Sequence, residues 1–364
     1  MDHLLPWLRL QFTKGLGRSG QMRLIEHYKT PEKALEATDR GWPKQLKLRG
    51  SLEKMVPESS APEIQKAYQL LVEAEGWLLS FWDSDYPHAL KHISDPPVLL
   101  YGRGVLPEGP ALAIVGARHS TDLGRVFTER LAEELATYGL TIVSGLARGI
   151  DAAAHRGALK GGGKTLAVLG CGIDQVYPQE NAGLYQQVIE QGALLSEYPP
   201  GSAPLAAHFP GRNRIISALS IGTLVVEAAR NSGSLITAEF ALEQGREVMA
   251  VPGGVDRKTS YGPNHLLKQG AHPVTEASEI LEVLGVSKGV RKVQPTRGEP
   301  SLLLPESAAR VFSRLDLTPR HSDELAGESG LTAMELSAIL LHLELQGYAE
   351  KLPGGRYIRG CRAH

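Results

Sequence analysis

From Val98 onward, short apolar runs alternate with stretches of helical periodicity, and this alternation constrains the fold more than any other feature of the chain. The runs are Val98 to Tyr101, Leu112 to Val115, Thr141 to Val143, Leu166 to Leu169, Leu194 to Leu195, Thr223 to Val226 and Val248 to Val251. A strand apolar on both faces needs cover on both faces. Helices between successive strands supply that cover, so the pattern predicts a doubly wound, mostly parallel sheet of the α/β class. Right-handed crossovers then give a Rossmann-like domain whose ligands sit beyond the carboxyl ends of the strands.

Four stretches place glycine with arginine or serine where strands give way to helices: Ile114-Val115-Gly116-Ala117-Arg118, Val143-Ser144-Gly145-Leu146-Ala147-Arg148-Gly149, Pro210-Gly211-Arg212-Asn213-Arg214 and Asn231-Ser232-Gly233-Ser234. A helix start offers unpaired N–H groups and a positive dipole end, glycine admits an oxyanion, and arginine adds a forked donor matched to phosphate. One such loop suggests a nucleotide; several on one sheet suggest a polymer of phosphates. The candidate phosphate-binding residues are Gly116, Ala117, Arg118, Ser144, Gly145, Arg148, Gly149, Arg212, Asn213, Arg214, Ser232, Gly233 and Ser234.

The stretch Tyr198 to Val226 contains no Asp or Glu yet holds His208, Arg212 and Arg214, which makes it a candidate floor for an anion. A helix start would splay Arg212 and Arg214 to different sides, whereas an extended entry would aim both along one backbone. Either arginine can instead pair with a carboxylate such as Glu227 or Glu239 and hold the fold. Tyr198, Phe209 and Tyr261 fall in candidate loops, where each is a base-stacking platform or a core residue.

With 364 residues, 42% hydrophobic and 22% charged, the chain has the composition of a globular protein of two or three domains. A formal charge of −1 provides no general basic field, so binding of nucleic acid must rest on local concentrations of charge. Cys171 and Cys361 form no paired spacing, which argues against a disulfide framework and a cysteine-rich zinc site and fits a reducing cytosol. The N-terminal apolar run is interrupted by Pro6 and Arg9, and no segment approaches about 18 consecutive apolar residues. The expectation is a cytoplasmic protein with no membrane span, no metal and no cofactor.

The first 76 residues read as short helices, with Thr30-Pro31-Glu32 as one helix start and Ile64, Tyr68 and Leu71 as the apolar stripe of another. Lys14-Gly15-Leu16-Gly17-Arg18 has the look of a helix-hairpin-helix turn, and equally of a plain turn between packed helices. Residues 77–285 form the Rossmann-like unit, 286–302 a basic linker with Lys288, Arg291, Lys292 and Arg297, and 303–364 three helices and a hairpin in the winged-helix order. The third of those helices carries Glu335, His342 and Glu344, which suits duplex phosphate poorly.

Several motifs fail on inspection. Gly161-Gly162-Gly163-Lys164-Thr165 resembles the end of a Walker A loop, but Ala158 stands where its first glycine belongs and the segment precedes a strand. Gly170-Cys171-Gly172 lacks the third glycine of a dinucleotide fingerprint. Asp151 and His155 lie four apart on one helix face, as an acid and base pair or as a dipole-complementing acid and a packed histidine. No GxSxG elbow or HExxH occurs.

The motifs together resemble the DNA-processing protein A family, DprA or Smf. The resemblance rests on Ser84-Asp85-Tyr86-Pro87, Asp95-Pro96-Pro97-Val98-Leu99-Leu100-Tyr101-Gly102, the four loops above, His208-Phe209-Pro210, Arg230-Asn231-Ser232-Gly233-Ser234-Leu235-Ile236-Thr237 and Val251-Pro252-Gly253. The helical N-terminus looks like the family's SAM or helix-hairpin-helix region. What the resemblance implies is a non-enzymatic recombination mediator. It would bind incoming single-stranded DNA during natural transformation, overcome single-strand-binding protein, load the RecA recombinase, and work as a homodimer through its Rossmann-like domain. On the family pattern Arg118 is a principal phosphate contact, and Ala117 replaces the serine of many relatives.

Two other functions compete on sequence. A nucleotide phosphoribohydrolase would use Gly222-Thr223 with Glu227, but needs a PGG segment just before them, and Pro252-Gly253-Gly254 lies downstream. The other is a winged-helix regulator that senses a nucleotide.

Overall fold

A computed structural model of the chain describes residues 4–48, 50–286, 306–316 and 318–360. Helices α1 (Leu4–Phe12), α2 (Arg18–Tyr28), α3 (Pro31–Glu36) and α4 (Pro62–Glu73) open it. Thr30 caps α3 by accepting the Lys33 N–H, and Pro31 follows at the first helical position, where its fixed φ suits the helix. Between α1 and α2, Leu16 is buried and Arg18 pairs with Asp95 and Glu197, so this segment is a turn between packed helices.

The central sheet comprises β1 (Trp77–Ser80), β2 (Leu99–Gly104), β3 (Ala111–Val115), β4 (Thr141–Ser144), β5 (Thr165–Leu169), β6 (Gly192–Ser196), β7 (Gly222–Val225), β8 (Glu247–Ala250) and β9 (His272–Pro273). Their order is β1-β2-β6-β5-β4-β3-β7-β8-β9. Strands β3 to β9 are mutually parallel, and β2 pairs antiparallel with β6 and β1. The run at Val98 therefore belongs to an antiparallel edge. Only residues 105–110 separate β2 from β3, too few for a crossover helix, so β3 runs opposite to β2.

Helices α5 (Asp122–Thr137), α6 (Ile150–Lys160), α7 (Ala182–Gln191), α8 (His208–Ala218), α9 (Gly233–Glu243), α10 (Tyr261–Lys268) and α11 (Ala277–Val283) cover the sheet. Alternation along β3 divides the core. Leu112 and Ile114 pack with Leu131, Leu135, Ile150 and Ile280 of α5, α6 and α11. Ala113 and Val115 pack with Ile215, Ile216, Ala238 and Leu266 of α8, α9 and α10. Double cover is why the strands read as unbroken apolar runs. One expected loop is absent: Pro210 to Arg214 lies inside α8.

The C-terminal unit holds α12 (Glu306–Arg314), β10 (Arg320–His321), α13 (Ser322–Ser329), α14 (Ala333–Leu345), β11 (Ala349–Leu352) and β12 (Arg356–Arg359). It is a winged helix around Val311, Leu325, Leu336, Leu340 and Leu343, with a short third strand the sequence did not announce. Its wing meets α5 through Leu352 and Ile358 on Val126, and through Arg356, whose Nη2 lies 2.8 Å from Asp122 Oδ2. The basic stretch 287–302 and Cys361 lie outside the described residues. No helix among the described residues is long and apolar enough to cross a membrane.

Candidate nucleic-acid interface

The chain winds outward from β3 through β4, β5 and β6, then returns by α8 to β7 on the other side of β3. Loops leaving β3 and β7 consequently diverge, which opens a crevice at the carboxyl edge of the sheet. A cleft of about 620 Å³ lies there, lined by Gly116 to His119 after β3, Phe209, Arg212 and Asn213 of α8, and Ala229 to Ser234 between β7 and α9.

Arg118 stands at its mouth. Its side chain is exposed, joins no ion pair or hydrogen bond among the described residues, and rests 5.1 Å from the centre of the Phe209 ring. A flat guanidinium on an aromatic face is held in place while its outer N–H groups stay open. Arg118 and Phe209 also line a smaller recess with Gly145, Arg148 and Tyr177. There Arg148 is exposed and makes a two-pronged pair with Glu180 at 2.6 and 2.8 Å. On the far side of the cleft Arg230 pairs with no carboxylate among the described residues and sits 5.3 Å from the centre of the Tyr261 ring.

The other candidates are engaged within the fold. Arg212 is buried, its Nη1 donating to Gly145 O at 2.9 Å and to Val168 O, and its Nε to Asn213 Oδ1 at 3.0 Å. Asn213 Nδ2 donates to Gly233 O at 3.0 Å, tying α8 to the start of α9. Ser144 Oγ donates to Ile114 O at 2.6 Å, and Ser232 caps α9 while bonding Ser234 Oγ at 2.7 Å. Gly145 is required because a Cβ there would strike the Arg212 guanidinium. Gly149 starts α6 at φ +74, a region side chains avoid, against the Ala117 carbonyl.

The amides of the first two loops face inward. Ala117 N–H donates to Glu227 O at 2.6 Å. Asp151 accepts the Gly145 N–H at 3.2 Å and is also bonded by the amides of Ala147 and Gly116. Burial pushes the Asp151 carboxyl up, with Arg212 and those amides pulling it back; burial likewise lowers the Arg212 guanidinium. An internal carboxylate thus fills the place these loops were expected to offer to phosphate.

Arg214 corrects the sequence reading most sharply. Residues two apart on a helix point about 200° apart, so Arg212 and Arg214 diverge. Arg214 is buried with Nη2 2.8 Å from Glu197 Oε1 and Nε 3.3 Å from Asp95 Oδ2, carboxylates that also hold Arg18. It anchors α8 and the N-terminal helices rather than lining the cleft. Tyr198 is likewise occupied, stacked on His208 at 3.9 Å between ring centres. Glu227 takes neither arginine: its carboxylate accepts Thr121 N at 2.8 Å and Thr121 Oγ1 at 2.6 Å, fixing the start of α5.

His155 is fully buried. Thr165 Oγ1 donates to Ile142 O at 2.8 Å and so accepts from His155 Nδ1 at 2.6 Å, leaving Nε2 without a partner. Burial, reinforced by Arg212 and Arg156, pushes the ring down to about 3. The unfolded ring takes up a proton near 6.5, so stability tied to the neutral ring is full above that pH. It falls as pH drops from about 6.5 towards 3, by about 1.4 kcal/mol per unit. Asp151, with its raised carboxyl, acts in the opposite sense. The unfolding temperature of His155→Gln is therefore expected to fall less than wild type between pH 6.5 and 5, as circular dichroism melts report. Parallel curves would contradict this.

Sequence reasoning missed Arg230, His119 and Tyr177. Arg230 directly precedes the Asn-Ser-Gly-Ser loop, which is the signal that should have drawn it in. Among the described residues no three His, Cys, Asp or Glu side chains gather as a metal site.

A switch-point cleft faced by exposed guanidinium groups, in a Rossmann-like domain joined to a winged helix, defines the class: an α/β protein with a cationic crevice at the carboxyl edge of its sheet. Residues 77–285 match the family model for DNA recombination-mediator protein A, and residues 294–355 match that of the DprA winged helix domain. The chain belongs to the DprA/Smf family. It is 34% identical to Protein Smf of Synechocystis over 97% of this chain and 98% of that one, and 44% identical to Protein Smf of Escherichia coli over 76% of each. The crystal structure of DprA from Streptococcus pneumoniae superposes with a TM-score of 0.66 at 35% identity, covering 75% of this chain and 95% of that one. DprA from Helicobacter pylori, described for its single-stranded DNA binding mode, gives 0.53 at 31% identity, covering 58% and 95%.

Proposed function

We propose that this chain is a single-stranded DNA-binding recombination mediator that protects incoming strands and loads RecA on them during natural transformation. The carrying observation is Arg118, an exposed guanidinium seated on Phe209 at the cleft mouth with no carboxylate paired to it among the described residues. Arg118 and Arg230 hold successive phosphates, and Arg148 joins them by exchanging Glu180 for a phosphate, since an exposed ion pair is worth only about 0–1 kcal/mol. Contacts to phosphate carry affinity without sequence preference. Phe209 offers a face to one base, and the other base edges stay free for the recombinase.

In this reading the chain is a homodimer through its Rossmann-like unit, residues 77–285, flanked by the helical segment 1–76, a linker at 286–302 and the winged helix from 303. Support for strand binding comes from the Helicobacter pylori relative, whose structure is described for its single-stranded DNA binding mode. The test is RecA filament formation on a strand precoated with single-strand-binding protein, followed by RecA ATP hydrolysis. The chain should shorten the lag severalfold, and Arg118→Ala should not. An unchanged lag with wild-type protein would overturn the mediator role.

A further inference from the structure

Helix α14 is apolar on two opposite sides. Leu336, Leu340 and Leu343 face inward and are buried in the core of the winged helix. Met334, Ala338, Leu341 and Leu345 form a second row, turned roughly 180° from the first, and all four are exposed. Met334, Leu341 and Leu345 are 84%, 56% and 78% open, so the described residues leave this row uncovered. A helix apolar all round is ordinarily a buried one, and an exposed apolar row marks an interaction surface.

The third helix of a winged helix is the counterpart of the helix that enters a DNA groove. Here Ala333–Leu345 holds no Lys or Arg and two Glu, so the phosphates of a duplex repel it. Its surface fits a helix like itself. The steps along the row are four, three and four residues, the alternation of a coiled-coil seam, and they read the same from either end. When two copies lie antiparallel about a twofold axis, Met334 meets Leu345 of the second copy and Ala338 meets Leu341 of the second copy. Each small side chain then faces a large one, whereas a parallel pair sets Ala338 against Ala338 and leaves a gap. On the flanks Glu335 comes opposite His342 of the second copy and Ser337 opposite Glu344 of the second copy, so each carboxylate faces a donor and the glutamates of the two helices fall on opposite flanks.

We propose that this face pairs two copies of the chain through an antiparallel α14 to α14 seam. The seam lies on the winged helix and does not depend on what the cleft binds. With four side chains from each copy it stands at the small end of specific interfaces, so it is weak in free solution and gains where copies are held side by side. Where the Rossmann-like units also pair, a second self-pairing surface extends the assembly beyond two copies.

The test traps the pair in the full chain carrying Cys361→Ser, which leaves the buried Cys171 as the one native thiol. Met334→Cys and Leu345→Cys are prepared separately, then oxidised alone and mixed. The mixture should give a disulfide-linked pair on a non-reducing gel. Neither variant alone should, since like positions lie about 16 Å apart along the seam. Independently, Leu341→Glu sets a carboxylate in the middle of the seam. Its site is exposed, so the melting temperature should match wild type. Its self-association constant should fall at least about tenfold, and its mass by light scattering near about 100 μM should be close to half that of wild type. A cross-link missing from the mixture, or formed equally by either variant alone, would overturn the seam, as would a mass that Leu341→Glu leaves unchanged.

Discussion

Replacing Arg118 by alanine is expected to lower affinity for single-stranded DNA roughly 10- to 100-fold near 0.1 M salt, from the 1.5–3 kcal/mol of a hydrogen bond to a charged group. The size follows from what Arg118 lacks. An arginine already paired to a carboxylate must give up that pair to meet phosphate, so much of its gain is cancelled. Arg118 gives up nothing of the kind, because among the described residues its side chain joins no ion pair or hydrogen bond and rests on the Phe209 ring. For the same reason its loss should leave the melting temperature within a degree or two of wild type, as for surface changes generally. Arg118→Lys should recover part of the affinity, since an ammonium restores charge but neither the fork nor the flat stacking face. Fluorescence anisotropy with a labelled strand reads these differences. Affinity unchanged in Arg118→Ala would remove this residue from the site.

Arg214→Ala should behave in the opposite way, although the sequence places both arginines among the same candidates. Removing one partner of a buried ion pair leaves the other charge stranded, at about 3–5 kcal/mol. Glu197 keeps Arg18 at 3.1 Å, so the lower end is expected, about 3 kcal/mol. In a domain of this size that is a drop of roughly 6–12 °C in melting temperature. Affinity measured well below the transition should stay near wild type. A variant that melts like wild type but binds DNA poorly would make Arg214 a strand contact and contradict its assignment as an anchor of α8.

The contrast shows which parts of this protein can be read from its residues. Strands β3 to β8 were visible because cover on both faces leaves short unbroken apolar runs such as Leu112 to Val115. Strand β1 was not, since most of it is only half-buried at the antiparallel edge and it carries no such run. The Pro210-Gly211 pair looked like a turn, yet Pro210 sits in the first turn of α8, where a missing N–H breaks no bond. With the helix in place, the divergence of Arg212 and Arg214 followed.

What no local pattern carries is the partner of a charged side chain. Glu197 and Asp95 meet Arg214 from positions 17 and 119 residues away. Asp151 turns the amides of Gly145 and Gly116 inward, which the glycine-rich loops alone do not announce. The cleft's position was legible from strand order. Of the arginines that line the cleft, Arg118 was among the sequence candidates, and Arg230 stands one loop residue outside that list.

The most direct measurement is the affinity for a single-stranded oligonucleotide across a salt series, in wild type and Arg118→Ala, beside a duplex of equal length. If unpaired guanidinium groups grip the strand, log affinity should fall linearly with log salt by about 0.7 per phosphate held, so three or four phosphates give a slope near −2 to −3. The single strand should bind more tightly than the duplex, and the slope of Arg118→Ala should be shallower by about 0.7. A salt-independent affinity, or identical slopes for the two proteins, would contradict the account.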